Sequence, residues 1–447
     1  MSASEFSQYQ VDHLLLLIGE NPLPNYVAAR LLLKQGGTAY LVYTTGTQSS
    51  AQRLKEILKS ELTRFQPAQL IALEAYESDA YQIRTRIQKV LEDLNGQIGL
   101  NYTGGTKAMA VHSYRAVFKA MQEKGQQAVF SYLDPRRLEM CIDREGGDRI
   151  RLKVQPEDLE IKIAKIFQIH GWEWLSEPDY KPTVPKAALA FAQFHTKPEL
   201  GKLWREWCNK VLRKATRDQE DKWLKEKELE KVDPLPLGIP SDLETKPQVS
   251  LKNYPEIIEA LKMLGCANAA DALSLQEIQP TGFKDLSNLC KWLDGEWLED
   301  YTLQQVQQVS GELKIYESAA SFWIKDPASR EKRTKFQFDV AFTRGYQLFA
   351  LSCTTIDNKA GCKQKLFEGY IRARQLGGDE ARVALVCCAN PKDTNALKTE
   401  ITNVFKSSPD SNTQSDSKLT VFGREDLLKL SDKIEQWIRE NDAEAGR

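Results

Sequence analysis

At 447 residues the chain is longer than one compact core, and roughly 150 residues per domain leaves room for about three units. An apolar fraction of 41% with 28% charged residues describes a folded chain and excludes wholesale disorder. The 61 Lys and Arg and 62 Asp and Glu balance to a formal charge of −1, so phosphate recognition has to be local rather than a whole-molecule field.

The first apolar run, LLLLI at 14–18, is too short for a membrane span, and no basic segment precedes it. No membrane association and no signal peptide are expected. The eight cysteines lack any C-x-x-C spacing and read as reduced, buried thiols of a cytoplasmic protein. The four histidines, His13, His112, His170 and His195, show no metal-ligand spacing, so a zinc enzyme is not expected.

In chain order, short apolar strands at 14–19, 38–45, 69–73, 98–103 and 128–133 alternate with helix-like runs at 25–35, 49–62, 78–94 and 106–124. Gly36 and Gly125 are placed to end two of these helices. The alternation predicts a parallel sheet covered by helices, a Rossmann-like α/β domain over residues 1–153. Residues 154–268 read as a helical connector and linker. Within them, 216–232 mixes both charge signs and 233–256 is rich in proline. A second α/β domain is expected over 269–447. There, strands at 335–343 and 346–353 form a hairpin around Arg344-Gly345, followed by a helix near 361–376 and a strand at 382–388. The stretch 407–417 reads as an exposed loop.

Three strand ends of the first domain are unusual. They read Gly19-Glu20-Asn21-Pro22-Leu23-Pro24-Asn25, Thr44-Thr45-Gly46-Thr47-Gln48 and Thr103-Gly104-Gly105-Thr106-Lys107. In open α/β sheets ligands sit at such ends. Paired glycines admit close backbone approach, a helix start offers free N–H groups, and Thr103, Thr106 and Lys107 add hydroxyls and a charge. Neither G-x-x-x-x-G-K-[ST] nor G-x-G-x-x-G is present, which argues against ATP hydrolysis or a dinucleotide cofactor. His112, inside the following helix, reads as a core or interface histidine.

Residues 14–25, 43–50 and 101–109 (NYTGGTKAM) resemble the CRISPR-associated Rossmann-fold sensor domain known as CARF. The resemblance implies a homodimer in which the joined strand ends bind a cyclic oligoadenylate, usually cyclic tetra-adenylate, made during type III CRISPR immunity. Carried over by position, Asn21, Pro22, Asn25, Thr45, Gly46, Thr47, Thr103, Gly104, Gly105, Thr106 and Lys107 would line the ring.

In the second α/β domain, period-two alternation places Phe336, Phe338 and Phe342 on one strand face and Asp339 on the other. Ser352 and Thr354 share a face of the partner strand, and Gly295-Glu296-Trp297-Leu298-Glu299 begins a helix. Over residues 270–440 this layout resembles the PD-(D/E)xK nuclease-like domain of CARF-linked effectors. The resemblance implies Mg²⁺ or Mn²⁺ on Glu299 and Asp339. It also implies single-stranded DNA or RNA, or nicked DNA, as substrate. The E-x-K position reads Ser352-Cys353-Thr354, which supplies neither acid nor lysine. Two explanations stay open. The missing groups have moved to the next helix, to Lys363, Lys365 and Glu368, or the domain binds nucleic acid or a partner without cutting. The aromatic strands SFWIK and KFQFDVAF suit base stacking in type, but alternating aromatics of this kind are expected to form core. The basic run at 325–335 reads as a solvated loop within reach of a phosphate backbone.

Overall fold

Strand β1 (Val11–Leu17) ends in four consecutive buried leucines because both of its faces are covered there. Leu14 and Leu16 pack on one side with α1 (Leu23–Leu32) and α2 (Gln48–Lys59). Leu15 and Leu17 pack on the other with α3 (Ala80–Glu92) and α4 (Lys107–Glu123). β2 (Leu33–Thr44), β3 (Gln69–Glu74), β4 (Ile98–Asn101) and β5 (Val129–Asp134) complete a parallel set in the order β3-β2-β1-β4-β5. β6 (Glu139–Asp143) and β7 (Ile150–Lys153) extend the sheet antiparallel. The chain moves outward from β1 to β3, then returns to start β4 on the other side of β1. Strand order therefore reverses between β1 and β4, the position at which a Rossmann-like sheet opens a crevice.

The computed structural model describes every residue except 1–4, 62–63, 144–146, 242–248, 270, 326–334, 406–417 and 447. Most of the basic run at 325–335 and the loop at 407–417 lie outside the described residues. Gly125 follows α4 at φ 65°, as expected. Gly36 does not end α1. That helix stops at Leu32 and passes directly into β2, within which Gly36 takes φ 77°. β6 and β7 are additional to the predicted strands. Glu139 in β6 is buried against Lys153 at 2.8 Å, so its charge masks a core strand.

The stretch 154–268 is not a separate connector. Helix α5 (Ile163–His170) leads to a two-residue edge strand, β8 (Glu173–Trp174), which pairs with strand Glu317–Lys325. The mixed sheet continues through Lys335–Arg344, Gln347–Thr354, Arg382–Cys387 and Leu419–Phe422. Gly345 at φ 61° forms the hairpin turn. Helix Lys359–Gly377 makes the crossover to the parallel strand Arg382–Cys387. The other face is covered by α6 (Pro185–His195), α7 (Pro198–Trp207) and helices Pro255–Leu264 and Trp297–Val309, all in one hydrophobic cluster. The proline-rich segment joins that cluster through Leu235, Leu237 and Ile239, because extended backbone sends alternate side chains inward. Within 216–232, Leu229 is buried and Arg217 stacks on Trp223 at 4.1 Å.

One core runs from the α1/α2 face of the first sheet through α5 into the second sheet. Phe167 of α5 stacks on Phe338 at 5.5 Å and meets Trp174 edge-on at 5.2 Å. Arg53 of α2 donates to Ile169 O at 3.4 Å. No helix among the described residues is long and apolar enough to cross a membrane. Truncating a fully buried aromatic costs about 3–5 kcal/mol. Phe167→Ala is therefore expected to lose that much in equilibrium denaturant unfolding, and a loss within error of zero would contradict this packing.

Candidate functional site

At the switch point, the loop after β4 lies backbone to backbone on the end of β1. A Cβ on Gly104 would fall 2.2 Å from Leu17 O, and one on Gly19 would fall 3.1 Å from Gly105 N. Glycine at these positions lets the two strand ends meet. Asn25 is buried and its Nδ2 donates to Leu17 O at 2.9 Å. Thr103 Oγ1 accepts from Leu133 N at 2.8 Å, and Thr47 Oγ1 accepts from Thr44 N at 3.0 Å. Thr106 caps α4, accepting from Met109 N at 3.2 Å. Pro22 is buried at the start of α1. Gly105, Thr106 and Lys107, where α4 begins, face solvent, as do Thr45 and Gly46 between β2 and α2. Hydroxyls, a helix start and one ammonium suit an anion there.

Asn21 faces away from these exposed residues. Its Oδ1 accepts from Leu23 N at 3.0 Å and meets His170 Nε2 at 3.0 Å. Its side chain also lies against Gly378, whose absent Cβ would fall 2.1 Å from Asn21 Nδ2. Gly378 caps helix Lys359–Gly377 of the second sheet. The crevice loop thus touches the end of a helix from the other body.

In that body, strands Glu317–Lys325 and Lys335–Arg344 pair on both sides of Ser321 and Asp339 but not at them. Ser321 takes φ 55°, and both strands exchange faces at this level. Phe336 and Phe338 pack with Phe167, whereas Phe342 packs on the opposite face, stacked on Phe349 at 4.6 Å. The expectation that all three phenylalanines share one face is corrected by this interruption.

The interruption frees Asp339 from the ladder. Its Oδ2 accepts from Cys353 N at 2.7 Å and from Ser352 Oγ at 3.1 Å. Glu299 Oε2 accepts from Ser321 Oγ at 2.6 Å. The helix breaks at Gly295 and restarts at Trp297, putting Glu296 at the cap and Glu299 in the first turn. A helix N-terminus favours both carboxylates, but burial opposes their charge more strongly. Burial and the nearby Asp339 and Glu296 charges hold Glu299 well above the usual carboxylate range. Burial also raises Asp339, against the pull of Lys365. Burial, partly offset by Lys291 and reinforced by Asp339, pushes Glu296 up to about 7. Asp300 is structural by contrast, accepting from Thr183 N at 2.6 Å and Trp292 Nε1 at 3.2 Å.

Helix Lys359–Gly377 crosses Ser352 at Gly369, where a Cβ would lie 3.5 Å from the serine Cβ. Lys365 and Glu368 therefore line a cleft of about 280 Å³ with Asp339, Ser352, Lys335 and Arg372. Lys363 points elsewhere and pairs with Glu400 at 3.1 Å. Glu296 lines a neighbouring cleft of about 260 Å³ with Asp179, Lys284 and Lys291. Glu296 was legible only as a letter of G-E-W-L-E. Its spacing of three from Glu299 on one helix is the signal that marks it. The carboxylates Glu296, Glu299 and Asp339 are hard oxygen donors suited to Mg²⁺ or Mn²⁺. Among the described residues, however, no three acids, histidines or cysteines are gathered as a metal site.

No protein-family model and no curated protein matches the sequence. Solved structures do. Protein VC1899 from Vibrio cholerae shares 15% identity at a TM-score of 0.67, covering 96% of this chain and 98% of that one. Can2 from Sulfobacillus thermosulfidooxidans, solved in complex with cyclic tetra-adenylate, shares 16% at 0.63, covering 96% and 99%. The fold, a Rossmann-like domain joined to a second α/β domain, is thus shared over nearly the whole length.

In the unfolded chain Glu296 releases its proton near pH 4.5, and in the folded chain near 7. The folded state holds the extra proton between those values, so its stabilising effect is full below about pH 4.5 and is lost as pH rises through 7. Between pH 4.5 and 8, wild type is expected to lose roughly 3 kcal/mol more stability than Glu296→Gln. Parallel pH profiles for the two proteins in denaturant unfolding would contradict the assignment.

Proposed function

We propose that the chain is a cyclic oligoadenylate-activated, metal-dependent nuclease of type III CRISPR antiviral defence, working as a homodimer, with cyclic tetra-adenylate as its activator. The observation that carries this reading is the contact of the crevice loop, through Asn21, with Gly378 at the end of the helix bearing Lys365 and Glu368. The sequence resemblance to CARF sensors and the fold shared with a structure solved in complex with cyclic tetra-adenylate support the ligand class. The open rim of Thr45, Gly46, Gly105, Thr106 and Lys107 suits a ring clasped between two copies, each contributing one rim.

Glu299 and Asp339 would hold Mg²⁺ or Mn²⁺, which when bound would activate water and offset phosphate charge. The chain's own contribution is positional. Cys353 N–H and the Ser352 hydroxyl aim Asp339, and the Ser321 hydroxyl aims Glu299. Lys365, one turn before the Ser352 crossing, supplies the positive charge that a lysine of E-x-K would have supplied, facing the developing negative charge of a cleaved phosphodiester. Glu368 lies in the same cleft and is the acid that offsets the absence of E-x-K. Ligand control requires tighter binding of the ring to the cleavage-competent arrangement.

A second reading, a ligand-responsive protein that binds nucleic acid or a partner without cutting, is favoured by one observation. Ser352 stands where an acid is needed, and an oxygen of Asp339 is already engaged by Cys353 N–H. The two readings separate in one assay. Single-stranded DNA and RNA and nicked DNA are incubated with Mn²⁺ or Mg²⁺, with and without cyclic tetra-adenylate. Cleavage by wild type should require ligand and metal, and Asp339→Ala and Lys365→Ala should each lose about a hundred-fold or more. Ligand-dependent binding with no cleavage by wild type would establish the second reading instead.

A further inference from the structure

Trp323 was expected in the core with the other aromatics of SFWIK. Its neighbours Phe322 and Ile324 are buried, but strand alternation turns the Trp323 indole outward, and it is 38% exposed. The backbone beneath it is fixed, because Trp323 N donates to Ser176 Oγ at 3.0 Å and Trp323 O accepts from Leu175 N at 2.7 Å. The ring forms the wall between the two clefts. With Gln337 it lines both the one containing Asp339 and the one containing Glu296. Its surroundings are cationic on the Asp339 side. Lys335 Nζ lies 5.3 Å from the ring centroid, Arg372 sits over Phe336 at 4.8 Å, and Lys365 completes the lining.

We propose that Trp323 is a base-stacking platform that positions one unpaired nucleotide beside the Asp339 cleft, with Lys335 and Arg372 on the flanking phosphates. An exposed indole set among cations is the combination that binds single strands, where bases stack on the ring and phosphates meet the charges. A base inside a duplex has both faces covered, so Trp323 engages only an unpaired or extruded one. Trp323 touches no acid of the cluster by hydrogen bond. Its role is positioning and selection, through the register it imposes on the phosphodiester reaching Asp339. This inference rests on the reading of the cleft as a nucleic-acid site.

The test is equilibrium binding of short single-stranded oligothymidylate to the full chain carrying Asp339→Ala, with cyclic tetra-adenylate present. Adding Trp323→Ala should weaken binding about ten-fold, while adding Trp323→Phe should retain most of it. An oligothymidylate with abasic positions should bind the Trp323 parent as weakly as intact oligothymidylate binds Trp323→Ala. The Trp323→Ala protein should no longer distinguish the two oligonucleotides. Equal affinity of the Trp323 and Trp323→Ala proteins for the intact strand would overturn the platform and leave the nuclease reading standing. If the Trp323 parent binds no oligonucleotide, with or without the cyclic ligand, the nucleic-acid reading of the cleft fails and the platform fails with it.

Discussion

The packing of one short helix, Ile163–His170, between two sheets constrains the rest of the molecule. Phe167 fills the aromatic cluster beside Phe338, the residue immediately before Asp339. Three residues on, His170 meets Asn21 in the crevice loop. The two bodies therefore share a continuous apolar core and are not beads on a linker. Interiors this densely packed answer displacement by switching between arrangements rather than by smooth deformation. A shift of the crevice loop would reach the acid cluster by two routes, through α5 to the strand of Asp339 and through Gly378 to the helix of Lys365.

The acid cluster is the costly part of the design. Glu296, Glu299 and Asp339 are placed where burial and mutual repulsion resist their ionisation, and the fold tolerates them by supplying oriented donors. A left-handed Ser321 interrupts the ladder, its hydroxyl takes Glu299, and the backbone N–H of Cys353 takes Asp339. Groups held in a charge-disfavoured state are poised to respond to a cation. In the proposed account, that is the electrostatic reason for metal dependence.

Much of this was legible in the sequence. The five parallel strands were marked by apolar runs, and the crevice by Gly104-Gly105, where the backbone leaves no room for a side chain. Asp339 and Glu299 stood out as acids among apolar neighbours, and the structure puts Lys365 and Glu368 in the cleft with Asp339. Other features were hidden for identifiable reasons. Glu139 disguised β6, proline disguised the buried Leu235 and Leu237, and Gly36 looked like a helix terminator when it kinks a strand. Periodicity cannot foresee a face exchange made by one residue, so Phe342 was assigned to the wrong side. Trp323 was assigned to the interior by its aromatic company, although alternation with the buried Phe322 and Ile324 turns it outward. Lys363 and Lys365 differ by two positions on one helix, and only the packing at Gly369 selects between them. Asn21, implicated as a ring contact by resemblance, faces the joint between the bodies.

Coupling between crevice and acid cluster is the central claim, and binding linkage tests it without reference to turnover. Mn²⁺ affinity of the full-length protein, followed by electron paramagnetic resonance, should be higher with saturating cyclic tetra-adenylate than without it. Mn²⁺ should raise the affinity for the ring by the same factor. Identical Mn²⁺ affinity in the presence and absence of the ring would contradict the account.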